Sequence, residues 1–158
     1  MGLGDNLALV AHQAGKISRR DLGAKAEDGS LVLRDSVEHV FVDPSGTHGL
    51  VIVRDAAFYV NLHSPTLKAR GPLSILSKTQ ITCVAWVSTG AEATALIATR
   101  HGDVYEAVLS PRTGVSDVVQ VFSSRDHACI KHIAHMHNQI FIACARGQWR
   151  ISSAQKVP

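Results

Sequence analysis

The sequence predicts an all-β fold made of repeated hairpins, and three observations carry that expectation. A nine-residue frame recurs four times without gaps, a short strand-like segment precedes three of the four copies, and no long apolar pattern of period 3.6 competes for a helix. Three copies are Leu9–Ile17, Leu96–Val104 and Phe141–Trp149. Each reads apolar–apolar–Ala, three mostly polar residues, Gly, any residue, then a large apolar one. The fourth is Leu50–Phe58, with Ala56 in the place of the glycine. The copies start at residues 9, 50, 96 and 141, so they are spaced by 41, 46 and 45 residues.

The chemistry of the frame is that of a β-hairpin. An apolar, partly β-branched run forms one strand, polar residues with glycine turn the chain, and an alternating run such as Val104–Leu109 or Phe58–Leu62 returns it. Glycine suits the turn because it takes positive φ without a steric clash. Upstream of three hairpins, Val37–Val42, Ile81–Trp86 and Ile130–His135 stack column by column as one further strand each. Asp43-Pro44-Ser45-Gly46 then reads as a type I turn, and Ser88-Thr89-Gly90 as a second turn signal. A fourth strand is expected around Leu31–Leu33, Leu73–Leu76 and Val118–Phe122.

Four strands in roughly 40–45 residues match a blade of a β-propeller. The expected units lie near residues 5–33, 37–76, 81–122 and 130–153, so that 1–158 reads as a partial propeller of three to four blades. Propellers close with about four to eight blades, and the expectation is a piece of a larger, seven-bladed one. Closure with four blades is the alternative. The first unit is expected to begin inside a blade, without a strand ahead of Leu7. An open arc leaves bare edges and faces, so the isolated chain is expected to be poorly soluble or oligomeric.

Composition narrows the function classes. Of 158 residues 46 % are hydrophobic and 18 % charged, as in ordinary globular proteins. The net charge of +3 is spread along the chain and aromatics make up 5 %, a poor match to a nucleic-acid surface. Cys83, Cys129 and Cys144 are odd in number and far apart, which argues for reduced thiols in a cytosolic setting. The apolar run Leu7–Ala11 is short and follows Asp5, unlike a signal peptide, and Asn6 stands where an N-myristoylation motif has Ser or Thr. No run approaches the length of a membrane-crossing helix.

Candidate chemistry is sparse. His127, His132, His135 and His137 cluster near Cys129, and zinc would need four such ligands converging tetrahedrally. On a strand His135 and His137 would share one face and His132 the other. His132 also falls in the repeat column of His39 and Cys83, and His135 in that of Trp86, so the template explains them as structural; no metal is expected. The G-x-S-x-G elbow of a hydrolase and the phosphate-loop pattern are both missing, and Asp43, Asp55 and Asp103 fall at turns, where Asp binds backbone N–H groups. No catalytic residue, cofactor or small-molecule substrate is expected. Arg54, Arg100 and Arg146 lie in or beside equivalent turns and would gather on one rim. The plain reading is three solvated turn residues; the sharper one is a contact with an acidic protein or an anionic membrane.

The motifs themselves resemble a known family. His39-Val40-Phe41-Val42-Asp43-Pro44-Ser45-Gly46-Thr47-His48 is similar to the V-F-x-D-P-[ST]-G-x-H segment of the deep orange family, the vacuolar protein sorting eighteen subunit of the HOPS and CORVET tethering complexes. The likeness continues through Phe58-Tyr59, Leu62-His63-Ser64, Leu76-Ser77-Lys78 and Val84-Ala85-Trp86. It ends with Leu96–Thr99, Gly102 and Val104–Leu109, which resemble I-L-L-G-T-x-x-G-x-I-Y-E-A-x-L. It covers about residues 7–110. Ala98 replaces a glycine, one residue is extra near Val60-Asn61, and 111–158 match only as generic blade.

The resemblance implies a non-enzymatic scaffold in vesicle docking and fusion, peripheral on late endosome, lysosome or vacuole membranes. Its partners would be other tethering subunits and SNARE-fusion machinery. The alternative is an interaction propeller of another assembly, which explains the repeat but not the D-P-S-G and Y-E-A motifs.

Overall fold

In a computed structural model of the chain, the described residues are 2–3, 6–23, 26–54, 56–73, 76, 79–144 and 147–152. They form four antiparallel sheets. The first holds β1 (Gly2–Leu3), β2 (Leu7–Ala11), β3 (Lys16–Asp21) and β4 (Ala26–Val32). The second holds β5 (Val37–Val42), β6 (His48–Val53), β7 (Ala56–Asn61) and β8 (Ala69–Arg70). The third holds β9 (Ile81–Ser88), β10 (Ala93–Thr99), β11 (Asp103–Ser110) and β12 (Gly114–Ser123), and the fourth β13 (Ile130–Met136), β14 (Gln139–Cys144) and β15 (Gly147–Ser152). Every strand pairs with its neighbour in sequence, so each sheet is a meander. These are propeller blades, as the repeat predicts.

Alternation of side chains gives every sheet two faces. The forward face of one sheet packs on the rear face of the next. Leu9 and Ile17 of the first sheet meet Val51, Val60 and Leu62 of the second. Leu50, Ile52 and Tyr59 of the second meet Ile81, Ala95, Ile97 and Leu109 of the third. Leu96, Ala98 and Val104 of the third meet Ile130, Ile140 and Ile142 of the fourth, where the Phe122 and Trp149 rings lie 5.9 Å apart. Among the described residues no apolar cluster joins the fourth sheet to the first.

Polar contacts fix the order of the sheets as well. Arg19, nearly buried on β3, donates to the carbonyl of Leu62 and, at 2.7 Å, to that of Ser64 beyond β7. Arg70 donates to the Arg112 carbonyl at 2.7 Å in the β11–β12 turn. Between the second and third sheets lies a buried network. Asp43 accepts the His48 backbone N–H at 2.6 Å and the Ser45 N–H at 3.2 Å, and also bonds the Ser45 hydroxyl. The His48 ring reaches the Gly90 carbonyl through Nε2 at 2.8 Å and the Tyr59 hydroxyl through Nδ1 at 3.0 Å. A carbonyl only accepts, so Nε2 carries the proton and the Tyr59 O–H donates to Nδ1.

Three expectations change in detail. A strand does precede Leu7: Gly2–Leu3 pairs with Leu9 and Ala8, so the first sheet has four strands, as the second and third do. The fourth strand of the second sheet is Ala69–Arg70 rather than Leu73–Leu76. Pro72 offers no N–H to a ladder, and beyond it Leu73 and Leu76 turn inward as buried core residues, Leu73 still donating its N–H to Ala57. His137 is not on a strand. With φ of 49° it forms, with Asn138 at 58°, the two-residue turn between β13 and β14, and two consecutive positive φ values are what a primed hairpin turn requires.

Candidate functional site

First strands of adjacent sheets lie against each other, β1 on β5 and β9 on β13, and one irregularity recurs in β5, β9 and β13. In the second sheet Val37 pairs with Val53 and His39 with Ile52, which leaves Glu38 as the extra residue of a bulge. In the third, Ile81 pairs with Thr99 and Cys83 with Ala98, leaving Thr82. In the fourth, Ile130 pairs with Cys144 and His132 with Ala143, leaving Lys131. The column of His39, Cys83 and His132 is thus one register position with one bulge in front of it. Bulges bend a strand and re-aim the side chain of the extra residue.

The three bulge residues converge. Glu38, Thr82 and Lys131 line one cavity of about 630 Å³ together with His39, Gln80, Ile81, Arg100 and Cys129. Arg100 is exposed and anchored: its backbone N–H donates to the Gln80 carbonyl at 2.8 Å and its guanidinium to Gln80 Oε1 at 2.9 Å. The site therefore combines two cations, one carboxylate, an amide and a hydroxyl. It can hold a polar chain segment, acidic at one point and a hydrogen-bond donor at another.

Arg54 sits in the β6–β7 turn and Arg100 in the β10–β11 turn, at the same position of the repeat frame. In a meander the second turn and the start of the first strand share one end, so both arginines lie at the end where Val37 and Ile81 begin. Arg54 is exposed but does not line the cavity. Arg146 and Asp55 lie outside the described residues. Glu38, Thr82 and Lys131 escaped the sequence reading. Their signal was present as the residues just before the His39/Cys83/His132 column, but a bulge is invisible to period-two alternation.

The chemically suggestive residues elsewhere have structural roles. Burial pushes the Cys83 thiol up, with Thr82 pulling it down. Burial likewise pushes the Tyr59 phenol up to about 12, opposed by Arg70 and slightly aided by Asp43. Asp103 bonds Gln120 Nε2 at 3.0 Å and the Ser123 hydroxyl at 2.8 Å, bracing β11 on β12. Among the described residues no three His, Cys, Asp or Glu side chains gather as a metal site. No helix among them is long and apolar enough to cross a membrane.

With the Asp43–His48–Tyr59 network and the repeated bulge in view, comparison with known proteins is specific. A model of the Pep3/Vps18/deep orange beta-propeller domain matches residues 2–148. The chain belongs to that family. Curated protein sequences give no match. Solved structures similar to this Pep3/Vps18/deep orange propeller chain share its fold at low identity. BamB from Moraxella catarrhalis aligns with a TM-score of 0.65 at 16 % identity, over 99 % of this chain and 50 % of that one. The Cps50 (Swd1) β-propeller domain of Myceliophteria thermophila aligns at 0.60 and 14 %, over 90 % of this chain and 47 % of that one. The WD40 domain of SCAP from fission yeast aligns at 0.60 and 15 %, over 90 % and 35 %. The chain thus spans between a third and a half of these propellers.

Proposed function

We propose that the chain is propeller sequence of a non-enzymatic scaffold subunit of the HOPS/CORVET type, acting in vesicle docking and fusion at late endosome, lysosome or vacuole membranes. Its contact surface is the end of the arc that carries the bulges and turns, with Arg54, Arg100 and Arg146 on the rim and other tethering subunits as partners. One observation carries this reading. Three sheets repeat the same bulge and deliver Glu38, Thr82 and Lys131 to a single polar cavity beside Arg100. The motif residues Asp43, His48 and Tyr59 are by contrast consumed in holding two sheets together. Family membership supports the vacuolar-sorting setting.

Two measurements test it. Affinity capture of the full-length protein followed by mass spectrometry should recover other class C tethering subunits; recovery of none contradicts the tethering role. The triple variant Arg54→Glu, Arg100→Glu, Arg146→Glu should lose that capture while the far-ultraviolet circular dichroism stays unchanged. Undiminished capture removes the rim from the account.

A further inference from the structure

The bulge residues reach their common cavity from three different sheets: Glu38 from the second, Thr82 from the third and Lys131 from the fourth. The third sheet adds Arg100, in its β10–β11 turn, and Gln80 just ahead of β9. Charge is therefore ordered across the cavity. The carboxylate stands on the second sheet, a neutral hydroxyl and amide on the third, and the cations on the third and fourth.

Opposite charges lining one cavity ordinarily pair. Here Glu38 and Lys131 are both exposed, and among the described residues neither side chain makes an ion pair or a hydrogen bond. Arg100 is held by a neutral partner: its guanidinium donates to Gln80 Oε1 at 2.9 Å, which orients the fork and leaves its remaining N–H groups for an acceptor. The same bond settles Gln80, whose oxygen is taken and whose NH₂ is left to donate. Thr82 is the converse. Its hydroxyl donates to the Ala98 carbonyl at 3.3 Å, so its oxygen is left to accept. One donor and one acceptor thus stand between the separated charges, as a peptide group requires.

Such a site selects among occupants. A phosphate backbone or an anionic lipid headgroup would meet Arg100 and Lys131, but would bring its charge up against Glu38. A divalent cation would find a single carboxylate. An extended polypeptide satisfies every group. Building on the contact surface proposed above, we propose that this cavity binds an extended segment of a partner polypeptide carrying a basic residue and, further along, an acidic one. The segment crosses the second, third and fourth sheets, with its basic residue at Glu38, its backbone at Thr82 and Gln80, and its acidic residue at Arg100 and Lys131.

Synthetic peptides test this on the purified chain. Each carries a Lys and a Glu pair joined by a Gly-Ser spacer of increasing length; companions replace the Lys, the Glu pair or both by Gln. Binding is read from slowed alkylation of Cys129, which lines the cavity half-buried, with Cys144 on β14, outside the cavity, as internal control. One spacer length should bind at least about tenfold tighter than its uncharged companion. The advantage should fade in ~1 M salt, where the Debye length is about 3 Å. Glu38→Gln should erase the preference for Lys alone, and Lys131→Gln should weaken the preference for the Glu pair alone. Lys68→Gln and Glu92→Gln, exposed and away from the cavity, should alter neither.

Equal binding of charged and uncharged peptides overturns the proposal. So does a charge preference that survives the double change Glu38→Gln, Lys131→Gln. Tightest binding by the companion that lacks Lys would reveal a plain anion site, and phosphatidylserine vesicles shielding Cys129 where no peptide does would reveal a membrane site; either result overturns it. Charge-selective peptide binding, with no tethering subunit captured from cells, would uphold the proposal and remove only the HOPS/CORVET setting.

Discussion

Leu50 in the second sheet and Phe141 in the fourth hold the same place in the repeat, on strands paired in the same register, yet one is fully buried and the other is 37 % exposed. The second sheet is also tied across its forward face by the Asp43–His48–Tyr59 network and the Gly90 carbonyl, whereas β14 has no described sheet in front of it. Strand pairing is thus the same in both regions, and packing sets them apart. Register and bulge come from the segment itself; burial, and with it most of the stability, comes from the neighbour.

The contrast in stability is greatest at Leu50 and Phe141 themselves. Leu50→Ala should cost about 2–5 kcal/mol in urea unfolding, as for large-to-small changes in a closed core. Phe141→Ala should cost about 1 kcal/mol or less, because a third of the side chain is already in water. Equal losses at the two sites would refute the contrast. Asp43→Ala comes next. It strips the partners from the buried His48 N–H and the Ser45 N–H, and should cost about 2–3 kcal/mol by the same measurement.

Tyr59 adds a pH dependence to the second sheet, beside those that burial gives Cys83 and Tyr105 in the third. Its folded pKa, about 12, stands above the unfolded value near 10. Its contribution is therefore complete below pH ~10 and is lost as pH rises through 12, on the order of 2 kcal/mol in all. Tyr59→Phe should be less stable at neutral pH, having lost the bond to His48, but should show a shallower alkaline decline. A parallel decline in both proteins would show that Tyr59 is not the titrating group.

The smallest contrast lies in the turns. Gly102 has φ of +86°, and a Cβ there would come within 2.8 Å of the Ser124 Cβ, so Gly102→Ala should cost about 1–2 kcal/mol. At Gly147, in the same frame position, a Cβ would meet nothing within 4 Å, and Gly147→Ala should change the midpoint by about 0.5 kcal/mol or less. Thermal melts of the two variants side by side read the difference.

Much of the fold was written in local pattern. The frame of apolar pair, alanine, polar turn and glycine located β2–β3, β6–β7, β10–β11 and β14–β15, because alternation and turn chemistry are properties of a few adjacent residues. The Asp43-Pro44-Ser45-Gly46 turn closes as expected, with the Gly46 N–H donating to the Asp43 carbonyl at 2.9 Å. The fourth strand of the second sheet was misplaced onto Leu73–Leu76, since apolar residues packed from a loop look like a strand in sequence. The polar cavity was least legible. Arg100 stood out through the repeat, but Glu38, Thr82 and Lys131 depend on three bulges and on sheets packed side by side, neither of which leaves a local signature.

Native-state hydrogen exchange of the chain reads whether equivalent strands differ only through the sheet in front of them. Strong protection is expected for the amides of residues 50–53 on β6 and 96–99 on β10, and exchange at least about tenfold faster for the paired amides of 141–144 on β14. Protection of β14 equal to that of β6 and β10 would contradict it.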